Sequence, residues 1–168
     1  MMQEAQSLPE FNFAPTGGDA SVPLTRPGVE EGPYVVLAES CYLCGIKCHK
    51  NVYDETDGEP GKFRAKVDYE PITLLSSNLG IFDPEIALDL IHLIDELGMD
   101  SISLGVTLGF AMDHNRRTGA GILGGLQFSD SDGVIAAVHA VAAGELPELG
   151  QGAKRLSEQV GDTDYAMH

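Results

Sequence analysis

The stretch Asp83-Pro84-Glu85-Ile86-Ala87-Leu88-Asp89-Leu90-Ile91-His92-Leu93-Ile94-Asp95-Glu96-Leu97-Gly98-Met99-Asp100 decides the fold class. Asp83 can cap a first helical turn, and Pro84 suits the first helical position, where its missing N–H is not needed. Ile86, Leu90, Leu93 and Leu97 then recur at i, i+4, i+7 and i+11, the spacing of one helical face. Gly98 is the expected terminator, and Asp100 the expected N-cap of a second helix over 101–117. A third helix is expected over 132–143, ended by Gly144, and a fourth over 148–160, ended by Gly161. The chain therefore reads as mainly α, a multihelical domain.

Upstream the pattern changes. Tyr34 to Ala38 form a short apolar, β-branched run, and Phe63, Ala65, Val67 and Tyr69 alternate with Arg64, Lys66 and Asp68 in the period of a half-buried strand. Asp57-Gly58 and Pro60-Gly61 supply turn chemistry between them, so a small hairpin-like β element is expected. Five of the nine prolines fall between Pro9 and Pro33, among glycines and acids. Residues 1–33 are therefore read as an extended or loosely docked leader, and 34–168 as the helical domain.

Composition narrows the function. Length supports one domain, and no apolar run approaches the roughly 20 residues of a membrane-spanning helix. Met1 to Pro9 lack the basic-then-apolar order of a secretory signal, so a cytoplasmic location with reduced thiols is expected. Twenty-six acidic residues against ten basic ones leave a net charge of −16. Such a charge disfavours nucleic acid and anionic membrane surfaces as partners. The locally basic segment, Lys47, Lys50, Lys62, Arg64 and Lys66, surrounds the cysteines.

All three cysteines lie in Cys41-Tyr42-Leu43-Cys44-Gly45-Ile46-Lys47-Cys48, a C-x2-C-x3-C spacing that allows one loop to offer three thiolates to one metal centre. Zinc sites usually pair two C-x2-C knuckles or add histidines, and His49, adjacent to Cys48, is badly placed to complete the same tetrahedron. A 4Fe-4S cluster needs a fourth ligand, from a small molecule or another segment. Radical enzymes that bind S-adenosylmethionine also use three cysteines, in the reverse order of spacing.

From about Arg26 to His168 the chain resembles the aldehyde:ferredoxin oxidoreductase family, the tungsten and molybdenum bis-pterin enzymes. The resemblance rests on the cysteine loop, Tyr69-Glu70-Pro71 followed by Leu74 to Ile81, Asp95 to Ser103 against a D-x-x-G-L-D-x-I-S pattern, Phe110-Ala111-Met112, Gly124-Gly125-Leu126 and Tyr165-Ala166-Met167-His168. Met99 stands where that pattern has leucine. The resemblance implies a 4Fe-4S cluster on Cys41, Cys44 and Cys48. It implies pterin binding by Asp95, Gly98, Met99 and Asp100, and a catalytic role for Glu70. The activity implied is oxidation of an aldehyde to a carboxylate at a tungsten- or molybdenum-bis-pterin centre, with electrons passing through the cluster to ferredoxin. The family's N-terminal β domain, its C-terminal helical domain and its fourth cysteine are not found, so the chain is expected to be inactive alone and to need those parts as partners; a homodimer is also compatible. Two other readings stay open: a non-catalytic iron-sulfur electron-transfer subunit, and an inactive gene fragment.

Some residues can be read without the resemblance. On a helical wheel Asp95 falls between Leu88 and Ile91, at the edge of the apolar surface, where a carboxylate needs hydrogen-bond donors. Asp100 has a sufficient structural role as an N-cap. Gly105 and Gly109 leave one helix face bare, which points to close helix packing. His92, His114 and His139 show no ligand spacing, and no metal is assigned to them.

Overall fold

The corner between the two long helices forms as its residues dictate. In the computed structural model, which describes residues 8–14 and 19–167, helix α3 spans Pro84–Glu96 and α4 spans Ser101–Thr118; they are numbered after two shorter helices given below. The Asp83 carboxylate accepts from the Glu85 N–H at 2.9 Å. Gly98 turns left-handed at φ 66°, and the N–H groups of Gly98 and Met99 reach back to the carbonyls of Asp95 and Ile94 at 3.1 Å each. This closes the end of α3 with a paired C-terminal cap. The Asp100 carboxylate accepts from the Ser103 N–H at 2.6 Å and opens α4.

Around this pair lie α1 (Arg26–Glu30), β1 (Tyr34–Glu39), β2 (His49–Thr56), β3 (Glu59–Val67), α2 (Tyr69–Leu74), α5 (Ser131–Ala142) and α6 (Ala153–Val160). The strands form an antiparallel sheet in the order β1-β2-β3. The fold is mainly α with a small β element, as expected from the sequence. The sheet has a strand more than a hairpin, because β2 carries few apolar residues and shows no alternation; it is held by ladders to both neighbours, with Val52 opposite Val36 and Ala65. β3 ends at Val67, so Tyr69 belongs to α2 rather than to the strand. Among the described residues no helix is long and apolar enough to cross a membrane.

The buried face of α3 is rotated from the stripe read in the sequence. Ala87, Leu88, Leu90, Ile91 and Ile94 are buried, whereas Ile86 and Leu93 are half-buried and Leu97 is exposed. The helix is flanked by β3 on one side and by α2, α4 and α5 on others, so its apolar arc is wide. Arg64 of β3 ties the layers together, donating to Asp54 at 2.9 Å and to Asp89 of α3 at 2.7 Å, beneath the Tyr34 ring. α6 begins at Ala153 instead of 148 because Gly152, at φ 87°, separates it from a short 3-10 turn at Leu149–Gln151.

The described part of the leader is packed, not loose. Phe11 and Asn12 donate from their N–H groups to the carbonyls of Ser77 and Asn78 at 3.2 and 3.0 Å, and the Ser77 hydroxyl donates to the Pro9 carbonyl at 2.6 Å. The Phe11 ring meets Phe82 and Phe128 edge-on. α1, also within the leader, lies beside β1.

Helix α4 is the axis of the domain, with Gly105 and the run Thr107 to Asn115 buried. Gly105 and Gly109 serve close packing: a Cβ on Gly105 would lie 2.6 Å from the Leu74 carbonyl oxygen, and one on Gly109 would lie 2.7 Å from Nδ2 of Asn78. Because Leu74 contributes backbone here, the clash cannot be relieved by a rotamer change. Gly105→Ala is expected to destabilise the chain by about 1–3 kcal/mol, the range for overpacking a filled site; urea unfolding of the two chains measures it, and equal midpoints would contradict it.

Candidate functional site

The cysteine loop, residues 40–48, connects β1 to β2 above the pair Glu39 and His49. Cys41, Cys44 and Cys48 are all exposed thiols. A tight turn brings the first two together: the Cys44 N–H donates to the Cys41 carbonyl at 2.9 Å, with Leu43 left-handed at φ 60°. The Ile46 N–H points at the Cys44 sulfur at 3.5 Å. His49 turns inward and is buried, away from the exposed thiols. Among the described residues no three His, Cys, Asp or Glu side chains gather closely enough to hold a metal ion. The donor set nevertheless suits an iron-sulfur cluster: three soft thiols, one loop, and a backbone N–H directed at the Cys44 sulfur.

Cys48 also lines a cavity of about 270 Å³ between α1, the sheet and α2, walled by Val36, Val52, Val67, Ile72 and Leu88 and reached by Lys50 and Tyr69. Glu70, next to Tyr69, is exposed in the first turn of α2. Burial raises the Tyr69 hydroxyl above its usual pKa, and the Glu70 charge adds to the effect. The fold therefore brings the segment of Glu70 to the same cavity as the third cysteine.

The four residues read as pterin ligands separate into two pairs. Met99 and Asp100 line a second cavity, of about 260 Å³, together with Ser103, Thr107 and the distant segment Gly150-Gln151-Gly152. Asp95 and Gly98 are exposed and outside it. The wheel position of Asp95 does match that of the buried Leu88, but Asp95 lies in the last turn of α3, beyond the elements that cover the earlier turns; its carboxylate faces solvent instead of an apolar edge. Asp100 spends one oxygen on the Ser103 N–H, which leaves the other free to accept. A cavity with a free carboxylate oxygen, the Ser103 hydroxyl and exposed backbone suits one edge of a pterin, whose ring presents both donors and acceptors; the Thr107 hydroxyl is already spent on the Ser103 carbonyl at 2.6 Å.

A polar cluster of a different kind escaped the sequence reading. Nδ1 of the buried His114 lies 2.7 Å from Oδ2 of Asp162, which also accepts from Arg117. Arg116 and Arg117 both donate to the buried Asp113, and the Arg117 guanidinium lies 3.7 Å from the Tyr165 ring centroid. His114 and Asp162 are 48 positions apart, so no spacing could have announced them. The cluster fastens the segment around Asp162 and Tyr165 to α4.

A family model described as aldehyde ferredoxin oxidoreductase, domains 2 and 3, matches residues 1–168. The chain belongs to the aldehyde ferredoxin oxidoreductase family, which is a family of oxidoreductases. It is 31% identical over 148 residues to a tungsten-containing aldehyde ferredoxin oxidoreductase of Pyrococcus abyssi, and 29% identical over 145 residues to that of Pyrococcus furiosus; each match covers 80% of this chain and 23% of the relative. It is also 40% identical over 76 residues to an aliphatic sulfonate oxidoreductase, WOR-like subunit, of Pyrococcus furiosus, covering 45% of this chain and 12% of that protein. The chain thus spans about a quarter or less of the length of these relatives.

The Asp162 carboxyl titrates below its usual value, chiefly through its hydrogen bond from Arg117 and then through His114. A lowered folded-state value stabilises the fold above the unfolded value, near 3.8, and that stability is lost as pH falls towards the folded value. Asp162→Asn is expected to lower the thermal midpoint at neutral pH, with the gap to the unaltered chain narrowing below about pH 4. Midpoints recorded from pH 7 to pH 2 test this; a gap independent of pH would contradict it.

Proposed function

We propose that the chain supplies the iron-sulfur ligands and part of the pterin site of an aldehyde-oxidising enzyme with a tungsten- or molybdenum-bis-pterin centre. The observation that carries this reading is the presentation of Cys41, Cys44 and Cys48 on one exposed hairpin loop in a chain of this family. Names of relatives that contain tungsten and act with ferredoxin support the choice of cofactor and of acceptor. The bound metal-pterin centre supplies the two-electron chemistry, in which aldehyde and water become carboxylate, three protons and two electrons.

The roles left to this chain are local. Cys41, Cys44 and Cys48 hold the cluster, and another segment or subunit supplies the fourth ligand. Asp100, one oxygen of which caps α4, and Met99 would hold one edge of the pterin at the cavity they line, with Gly98 turning the chain into that corner; Asp95, exposed in the last turn of α3, would meet the cofactor only through a surface completed by a partner domain. Glu70 orients the attacking water and accepts one of its protons, a role open to an exposed carboxylate once a partner domain covers it. The remaining domains act as partners in the assembled enzyme, and ferredoxin receives the electrons.

A non-catalytic iron-sulfur subunit is the competing reading, favoured by the solvent exposure of Asp95 and Glu70. Glu70→Gln in the assembled enzyme separates the two: cluster and pterin content should persist while kcat falls by at least roughly 100-fold. Full turnover at full metal content would remove Glu70 from the mechanism. For the cluster, anaerobic reconstitution of the chain with iron and sulfide should yield a centre that is lost in air, and Cys44→Ser should abolish it. Iron and acid-labile sulfide analysis with electron paramagnetic resonance reads both outcomes; a stable single zinc without sulfide would overturn the assignment.

A further inference from the structure

The cysteine loop is exposed along its whole length from Cys41 to Cys48, and its own hydrogen bonds are short-range. Its last residues are gripped from below. The half-buried Lys50 side chain donates from Nζ to the carbonyls of Lys47 at 2.9 Å, Cys48 at 3.0 Å and His49 at 3.3 Å. An ammonium has three protons to donate, and all three are committed. Lys50 itself is fixed in the central strand, opposite Ala38 and Val67.

We infer that Lys50 is a positioning residue for the cluster: its clamp on three consecutive carbonyls seats Cys48, and its fixed charge favours the reduced state. This rests on the assignment of the cysteine loop as the cluster's ligand set. The geometry supports both halves. Releasing the clamp would free the loop's C-terminal arm, since the ladder to β1 begins only at His49. Lys50 and Cys48 line the same cavity, whose walls are mostly valine, isoleucine and leucine, with Arg26 and Asp68 the other charged residues on it, so one side of the ammonium is apolar wall. A charge in such surroundings acts more strongly than one in solvent. Adding one electron to a cluster adds one negative charge and neither makes nor breaks a bond to Lys50. A cation held one carbonyl away from a ligand cysteine lowers the energy of that more negative state. Lysine suits the task because its compact ammonium can serve three acceptors around one point, which a planar guanidinium does with different geometry.

The test compares the unaltered chain with Lys50→Met, Lys50→Gln and Lys50→Arg after anaerobic reconstitution with iron and sulfide. Two quantities are read: the cluster's midpoint potential in a dithionite titration followed by electron paramagnetic resonance, and its resistance to an iron chelator. Lys50→Met should move the potential to more negative values and weaken iron retention by about 10- to 100-fold, the usual cost of losing a partner behind a metal ligand. Lys50→Gln keeps side-chain donors without the charge, so it should shift the potential while losing less iron. Lys50→Arg should restore the potential. If Lys50→Met holds no cluster, the glutamine variant decides: a negative shift supports the inference and an unchanged potential overturns it. Unchanged potentials in both neutral variants with an intact cluster overturn the role of Lys50 alone. An unaltered chain that binds no acid-labile sulfide overturns the ligand assignment, and the inference with it.

Discussion

The backbone of α2 reaches the surface of α4 only because Gly105 has no side chain there, and the other arrangements follow from that approach. A Cβ at that point would press on the Leu74 carbonyl, a group that cannot rotate away. With the two backbones in contact, α2 holds Tyr69 at the cavity that Cys48 also lines, with the exposed Glu70 next to it. One turn further along α4, Gly109 admits the side chains of Asn78 and of the leader residue Asn12. Two small residues thus set how closely α2 and the segment around Asn78 pack on α4.

Charge is handled by sharing cations. With twenty-six acids and ten bases, most carboxylates face water, and the cations that are largely buried are each shared between two carboxylates. Arg64 serves Asp54 and Asp89 together, joining the sheet to α3, and the bonds hold its guanidinium charged. Arg117 serves Asp113 and Asp162 and covers the Tyr165 ring. Each of these arginines spans elements far apart in the chain. Lys50 follows the same economy on carbonyls, binding three acceptors at the end of the cysteine loop.

The candidate site was partly legible from local rules. Caps and terminators act within four residues, so Asp83, Gly98 and Asp100 could be assigned from neighbours alone. The cysteine spacing is equally local, and it lies on the one loop expected. Asp95 shows the limit of the wheel, which assigns an angle but not the point along the axis where the core stops. Tyr69 shows another: alternation continued past Val67 in the sequence, but Asp68 occupies the N-cap position and the chain turns into α2. β2 had no periodic signal at all, because its place in the middle of the sheet comes from ladder bonds available to any non-proline residue.

By itself the sequence determined the mainly helical class, the corner between the long helices, the bare face of α4 and the grouping of three thiols, since each depends on residues within a turn or two of one another. Only the tertiary structure decided that part of the leader packs against Ser77 and Asn78, that Gly150 to Gly152 joins Asp100 around one cavity, and that His114 finds Asp162. Those contacts join segments up to 68 positions apart, as between Pro9 and Ser77. Their energies come from burial and hydrogen bonding between surfaces that meet only after the chain has closed on itself, and no local periodicity records which surfaces will meet.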